Sequence, residues 1–446
     1  MMKKTLCLIC LLLVLIAFPL FADGNSSSLG SLSANTSFDG SFGFSLTPSL
    51  AFGKFSMMFN LLVKGTYTTN PFNVAFDFSN YMLPERENTD TDISYGLRIA
   101  KQYSKFIKSM HYGFRYDKFY FRYGKLTNIT LGDGALLNNF YDNSVGYLES
   151  KPGFNLKVGP LGHYGFEFVV DDVFLPSLLG GRLYLLPFAT DKPEQKRINR
   201  MEWAVSLLYD PQNAQLAGQV YKEYLETSFE IAQPMFSGEQ GQTTFFVDYL
   251  MQGPKKNFTP SGNAIRIGLW GRTKTLLSFN LNVTAPISGT YYCDYFTTGY
   301  NDPKSKEYST TESPVSYPMH LGTVRLDTTM GLNLDTDQIY AGIRLRSDLS
   351  GIGFANQRIL ATVRIDKLFM KFISLDLNYE KLYPANNQGV SEGFLAGIGS
   401  LRNVYISANS QIHIKGVMFN VELTANYDDE AKVNFLMDYS VEIALF

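Results

Sequence analysis

The most regular feature of the chain is a two-residue rhythm in its last third. From Gly322 to Leu334, apolar side chains hold even positions: Val324, Leu326, Met330, Leu332 and Leu334. After Asp335-Thr336-Asp337 they move to odd positions, Ile339, Ala341, Ile343 and Leu345. The final segment repeats the habit with Val433, Phe435, Met437, Tyr439, Val441, Ile443 and Leu445, before Phe446. Successive side chains of a strand point to opposite faces, so each segment has one apolar and one polar side. The runs 322–334, 404–414 and 433–445 are long enough to cross a bilayer as tilted strands, which takes about 9–11 residues. Only helices and closed barrels satisfy their backbone hydrogen bonds inside lipid. The rhythm therefore predicts an all-β fold, a single transmembrane antiparallel up-and-down β-barrel.

The connections fit this expectation. Lys415-Gly416 reads as a tight turn between strands at Val404–Ile414 and Val417–Tyr427. Asp428-Asp429-Glu430 is a short acidic loop, whereas Tyr383–Asn403 and Thr297–Pro318 are long and polar. Short turns at one rim and long loops at the other are the habit of such barrels. Upstream, Phe72, Val74, Phe76 and Phe78 alternate, as do Trp203, Val205, Leu207 and Tyr209, and Phe245, Val247 and Tyr249. Ten-residue strands with their connections predict about 16–18 strands. One stretch departs from the pattern. Ile99, Tyr103, Phe106, Ile107 and Met110 follow helical spacing, opposite Lys101, Lys105 and Lys108, which predicts a short amphipathic helix near residues 99–110. It would either fold inward as a constriction or cap a loop or rim.

A soluble all-β protein also alternates. Its strands usually run about five or six residues, however, and a chain this long would divide into domains. The N-terminus favours the membrane reading. Lys3 and Lys4 precede an apolar stretch, Thr5–Phe21, and Leu20-Phe21-Ala22 leads into Asp23-Gly24-Asn25. This is the layout of a secretory signal peptide over 1–22, leaving 23–446 as one barrel domain destined for the cell outer membrane. Removal of Cys7 and Cys10 would leave only Cys293, so no disulfide can form within the mature chain. The formal net charge of −2 argues against a nucleic-acid partner.

The stretch Phe106-Ile107, Tyr112-Gly113, Phe119–Leu126, Thr130-Leu131-Gly132-Asp133-Gly134, Asn138-Asn139-Phe140 and Asn143 resembles a block in porin-like outer-membrane proteins of spirochaetes and related Gram-negative bacteria. The resemblance covers about 40 residues of the chain. It implies a pore-forming barrel with outer-membrane lipids, the barrel-assembly machinery and small hydrophilic solutes as partners, and is compatible with a homo-oligomer. Gly132 and Gly134 mark a bulge or bend where backbone approaches closely, or an ordinary turn. Phe446 resembles the terminal residue of the barrel-assembly signal, with one departure. The apolar set Leu445, Ile443 and Val441 lies one residue out of step with it.

The four histidines, His111, His163, His320 and His413, stand near no nucleophile motif, so no catalytic residue, metal or cofactor is expected. Asn88-Thr89-Asp90-Thr91-Asp92 imitates the start of a calcium loop, but Ile93 stands where the turn glycine belongs. The polar faces of four successive strands are more informative. They carry Arg325 and Asp327, Arg344 and Arg346, Arg358 and Arg364, then Asp376 and Glu380. Counting outward from the turns brings Asp327 near Arg344 or Arg346, Arg346 near Arg358, Arg358 near Glu380, and Arg364 near Asp376. A mid-bilayer arginine facing lipid costs roughly 2–4 kcal/mol, so these groups should face the lumen. There they would either set ion selectivity or brace the wall as ion pairs. The expected function is passive diffusion of small hydrophilic solutes. The alternatives are a plugged-lumen transporter for an apolar ligand such as a fatty acid, and a surface adhesin or structural barrel.

Overall fold

The computed structural model describes residues 30–36, 41–69, 72–88, 90–113, 117–126, 129–137, 140, 151–190, 197–216, 219–238, 241–254, 262–273, 277–292, 318–334, 339–365, 373–383, 391, 393, 397–414 and 417–445. The signal peptide, Phe446, most of the polar segment 297–318 and the turns at 335–337 and 415–416 lie outside the described residues.

The first strands are β1 (Gly30–Thr36), β2 (Ser41–Phe52), β3 (Phe55–Phe59), β4 (Leu61–Thr69) and β5 (Phe72–Asp77). Helix α1 (Asp92–Ser104) precedes β6 (Ile107–Tyr112), β7 (Phe119–Gly124), β8 (Phe154–Leu161), β9 (Tyr164–Val170) and β10 (Leu179–Leu185). Longer strands follow: β11 (Glu202–Leu216), β12 (Gln219–Gly238), β13 (Gly241–Pro254), β14 (Gly262–Thr273) and β15 (Leu277–Gly289). A two-stranded ribbon, β16 (Tyr291–Tyr292) with β17 (Pro318–Met319), forms a separate sheet that does not pair with the wall strands. The wall resumes with β18 (Val324–Leu334), β19 (Ile339–Ser350), β20 (Gly353–Ile365), β21 (Ile373–Tyr383), β22 (Val404–Ile414), β23 (Val417–Tyr427) and β24 (Val433–Leu445).

Neighbouring wall strands pair antiparallel, and β24 returns to β1 with Ile443 opposite Leu32. That pairing closes the sheet into a barrel, which is what a lipid environment requires, although among the described residues β5 is paired on one side only, with β4. The long strands β18 to β24 occupy the segments that alternation marks out. Among the described residues, 22 strands join the wall. Since β3 with β4, and β5 with β6, each fill one position, the barrel has 20 strands, more than the expected 16–18. The excess arises in the first half, where β6 to β10 run only six to eight residues and a two-residue turn, Gly162-His163, suffices between β8 and β9.

The helix is displaced from 99–110. Thr91 caps α1 by accepting a hydrogen bond from the Ser94 N–H at 3.1 Å, and Asp92 sits in the first turn. Both features favour a helix start. The imitation calcium loop is thus a helix cap, with Asp90 accepting from Glu87 N–H at 2.8 Å. At the other end Ile107–Met110 form β6, pairing with β3 in the register Met57↔Met110. Helix α1 lies in an excursion between β5 and β6, which continue one another along the same edge of β4 and β3. No α1 residue is buried.

Strand alternation assigns the faces. Val205, Leu207, Phe229, Phe245, Tyr249, Ile265, Ile267, Leu326, Met330 and Ile343 are exposed on the outside. Their neighbours Ser206, Ser228, Glu230, Asp248, Arg266, Arg325 and Asp327 are buried on the inside.

Candidate functional site

The lumen is asymmetric. Between β7 and β8, the described residues 129–137 and 140 lie against the inner wall. Within them Ile129 and Phe140 pair as in a small hairpin, with Ile129 N–H donating to Phe140 O at 3.1 Å and Phe140 N–H donating to Ile129 O at 2.8 Å. Its apolar side chains Ile129, Leu131, Leu136, Leu137 and Phe140, with Leu126 before it, pack on Val169, Leu208, Tyr224, Leu250 and Ala264. Those five are inward-facing residues of β9, β11, β12, β13 and β14. Tyr291, Tyr292 and Met319 of the small ribbon join the same cluster. Fully burying a Leu or Phe side chain is worth roughly 1.5–3 kcal/mol, so the hairpin is fixed to the inner wall by a core of its own.

The tip of this hairpin meets charge. Gly132 (φ +55°) and Gly134 (φ +85°) take left-handed backbone, and Gly134 N–H closes a turn on Leu131 O at 2.9 Å. A Cβ on Gly132 would fall 2.6 Å from Arg182 Nε and 2.7 Å from Glu230 Oε2. The glycine is therefore both a turn residue and a point of close backbone approach. Between the glycines, Asp133 accepts from Arg266 Nη1 at 2.7 Å, and the same nitrogen donates to Asp248 at 3.0 Å. Arg182 donates to Glu230 at 3.0 Å, pairs with Glu202, and lies 3.9 Å from Glu167. The Arg266 guanidinium also stands over the Phe246 ring, 4.5 Å from its centroid.

The sequence-predicted charges occupy the neighbouring arc. Asp327 holds both Arg344, at 2.5 Å, and Arg346, at 3.0 Å. Arg358 pairs with Glu380 at 2.5 Å, and Arg364 with Asp376 at 3.0 Å. Arg346 stands opposite Arg358 in the β19–β20 register. Arg325 binds Asp348 at 2.5 and 2.8 Å, a partner absent from the sequence set although it shares the inward parity of β19. A bulge at Asn356 (φ +48°) lets that amide donate to Asp348 at 3.0 Å.

These guanidinium groups differ sharply in their access to water. Side-chain exposure rises from 3% at Arg325 and 5% at Arg346 to 16% at Arg358, 24% at Arg344 and 46% at Arg364. Farther round, inward-facing Asn378, Tyr405, Ser407, Asn409 and Gln411 are all partly exposed. On the arc beneath the hairpin, Leu208, Tyr224, Glu226, Phe246, Leu250 and Gln252 are buried. One side of the barrel is filled, and the other keeps a wet polar wall.

Asp133, Arg182, Glu230, Asp248 and Arg266 are not among the charges that strand counting brings together. Asp248 and Arg266 carried a signal, since they alternate with Val247, Tyr249, Ile265 and Ile267 on the polar faces of their strands. Asp133 carried none beyond its place in the resembling block.

No protein-family model matches the chain, and no curated protein matches it. Among solved structures it is similar to Pseudomonas aeruginosa OpdK with vanillate, at 10% identity and a TM-score of 0.35, over 93% of this chain and 97% of that one. It is also similar to Escherichia coli Wzi, an outer-membrane carbohydrate-binding β-barrel involved in group 1 capsule assembly. That match has 9% identity and a TM-score of 0.36, over 99% of this chain and 89% of the other. Acinetobacter baumannii OccAB2 matches at 9% identity and a TM-score of 0.35, over 95% of this chain and 98% of that one.

Proposed function

We propose that the protein is an outer-membrane channel through which small hydrophilic solutes diffuse passively. The asymmetric lumen carries this reading. Inward polar side chains from Arg364 and Asp376 round to Gln411 keep accessible surface inside a closed wall, as a water-filled passage requires. The infolded hairpin narrows that passage from one side. Selectivity arises from width and from the charges that water reaches, chiefly Arg344, Arg358, Arg364, Asp376 and Glu380. The polarity of this arc speaks against a conduit for an apolar ligand.

On the same reading the chain is exported by its signal at 1–22 and inserted by the barrel-assembly machinery through its C-terminal strand and Phe446. It works in the outer membrane of a Gram-negative bacterium, with spirochaetal porin-like proteins as the relatives that its 106–143 block suggests. Planar-bilayer recording of the purified, folded barrel tests the function. Discrete conductance steps that fall as neutral polymers of increasing size enter the pore are expected. Silence of protein that still shifts on gels between unheated and boiled samples overturns it.

A further inference from the structure

The hairpin tip and the wall beneath it enclose an arrangement that ion pairing alone does not balance. Asp133, Glu230 and Asp248 each place a carboxylate oxygen within 4.8 Å of the others. Two oxygens on one calcium ion, each bonded at 2.3–2.6 Å, are separated by at most about 5 Å. Glu230 and Asp248 stand directly opposite each other in the β12–β13 register, where like charges repel. Asp248 is wholly buried, and its Oδ1 has no hydrogen-bond partner, the arginine being taken by Oδ2. Among the described residues, the network within contact distance holds five carboxylates, Asp133, Glu167, Glu202, Glu230 and Asp248. Three cations answer them: Lys157, Arg182 and Arg266. Among the described residues two negative charges are thus in excess, and the Asp133, Glu230 and Asp248 side chains are almost wholly shielded from water, where an excess of one sign of charge is disfavoured.

We infer that Asp133, Glu230 and Asp248 bind one hard divalent cation, calcium in preference to magnesium. The donor set is all oxygen, as either ion demands, and it is assembled from a turn and two separate wall strands and not from one preformed loop. Calcium tolerates irregular coordination, and magnesium does not. One calcium ion cancels the residual charge, gives Asp248 Oδ1 a partner, and relieves the repulsion across β12 and β13. Because Asp133 belongs to the hairpin and the other two ligands to the wall, the ion also fastens the constriction in place.

Terbium luminescence on the full-length folded barrel in detergent, stripped beforehand with a chelator, tests this. Tyr184, whose ring centroid is 5.2 Å from the Arg182 guanidinium carbon, is a sensitiser beside the site. A saturable signal of one terbium per chain is expected, displaced by calcium at much lower concentration than by magnesium. Asp133→Asn and Glu230→Gln should each weaken terbium binding by at least about tenfold, the scale on which even outer-shell partners alter metal affinity. Asp117→Asn, in a rim turn, should leave it unchanged. If Glu230→Gln does not fold, Asp133→Asn decides, since its side chain lies outside the wall. Absence of a saturable signal, equal displacement by the two ions, or undiminished binding in Asp133→Asn overturns the inference. A cluster that balances itself by holding protons gives the first of these results.

Discussion

Asp133 and Arg266 are 133 residues apart in sequence and meet at 2.7 Å inside the barrel. The contact ties the tip of the infolded hairpin to β14. Replacing Asp133 by Ala removes the tether but leaves Arg266 its second partner, Asp248, so the wall should survive. A hydrogen bond between charged groups contributes about 1.5–3 kcal/mol, enough to shift the hairpin's equilibrium by one to two orders of magnitude. Single-channel records should show larger and noisier steps than the parent. Identical conductance and noise would mean that the apolar core alone positions the constriction.

That core can be weakened separately. Leu137 is fully buried between the hairpin and the wall, and a buried Leu→Ala change typically removes about 2–5 kcal/mol. Leu137→Ala should accelerate proteolysis within 126–140 while the barrel still migrates as folded before boiling. Unchanged protease resistance would place the hairpin's anchor elsewhere.

Gly132 is the backbone counterpart of these contacts. Any side chain there must take left-handed backbone, which costs roughly 1–2 kcal/mol, and must displace Arg182 or Glu230. Gly132→Val should therefore loosen the hairpin at least as much as Asp133→Ala does, read by the same conductance and protease assays. Parental behaviour in both would contradict the close approach.

The facing of the wall is open to chemistry. In a Cys293→Ser background, cysteines at Ile343, Val363 and Leu375 should resist polar thiol reagents and be quenched by lipid-borne probes. Those at Arg344, Arg364 and Asp376 should react from the lumen, whereas one at Arg325 should react slowly because it is buried. A one-residue slip exchanges the two faces. Equal labelling of both sets would reject the register.

What could be read in advance follows from which forces act locally. Alternation reports the lipid–lumen boundary residue by residue. Counting from the turns therefore placed Arg364 beside Asp376 and Asp327 beside Arg344 and Arg346, where the structure has them. The helix was displaced because Ile107 and Met110 satisfy helical spacing as readily as Ile99 and Tyr103 do, whereas the boundary is set by the Thr91 cap and by β6 pairing with β3. The hairpin left no periodic trace. Its stability depends on Leu208, Tyr224, Leu250 and Ala264, tens of residues away, and local patterning carries no information about such contacts.

Water access separates the two roles open to the lumen arginines. A charge shapes the field that ions cross chiefly where water and ions reach it, whereas a charge buried with its counter-ion is compensated at contact. Arg325, locked to Asp348 and almost wholly buried, should act as a brace. Arg325→Gln leaves that carboxylate buried without its counter-ion and with only the Asn356 amide as a described side-chain donor, and breaking a buried ion pair in this way costs about 3–5 kcal/mol. It should therefore lower the denaturation temperature of the barrel while leaving the reversal potential in a salt gradient nearly unchanged. Arg364, close to half exposed, should do the opposite. Arg364→Glu should shift the reversal potential towards cations, most strongly at low salt, with little loss of stability, since exposed pairs are worth only about 0–1 kcal/mol. Arg344→Glu should fall between them. If the shift does not follow exposure, with Arg325→Gln altering selectivity as much as Arg364→Glu does, then the conducting path runs along the buried arc beneath the hairpin and not along β20 to β22.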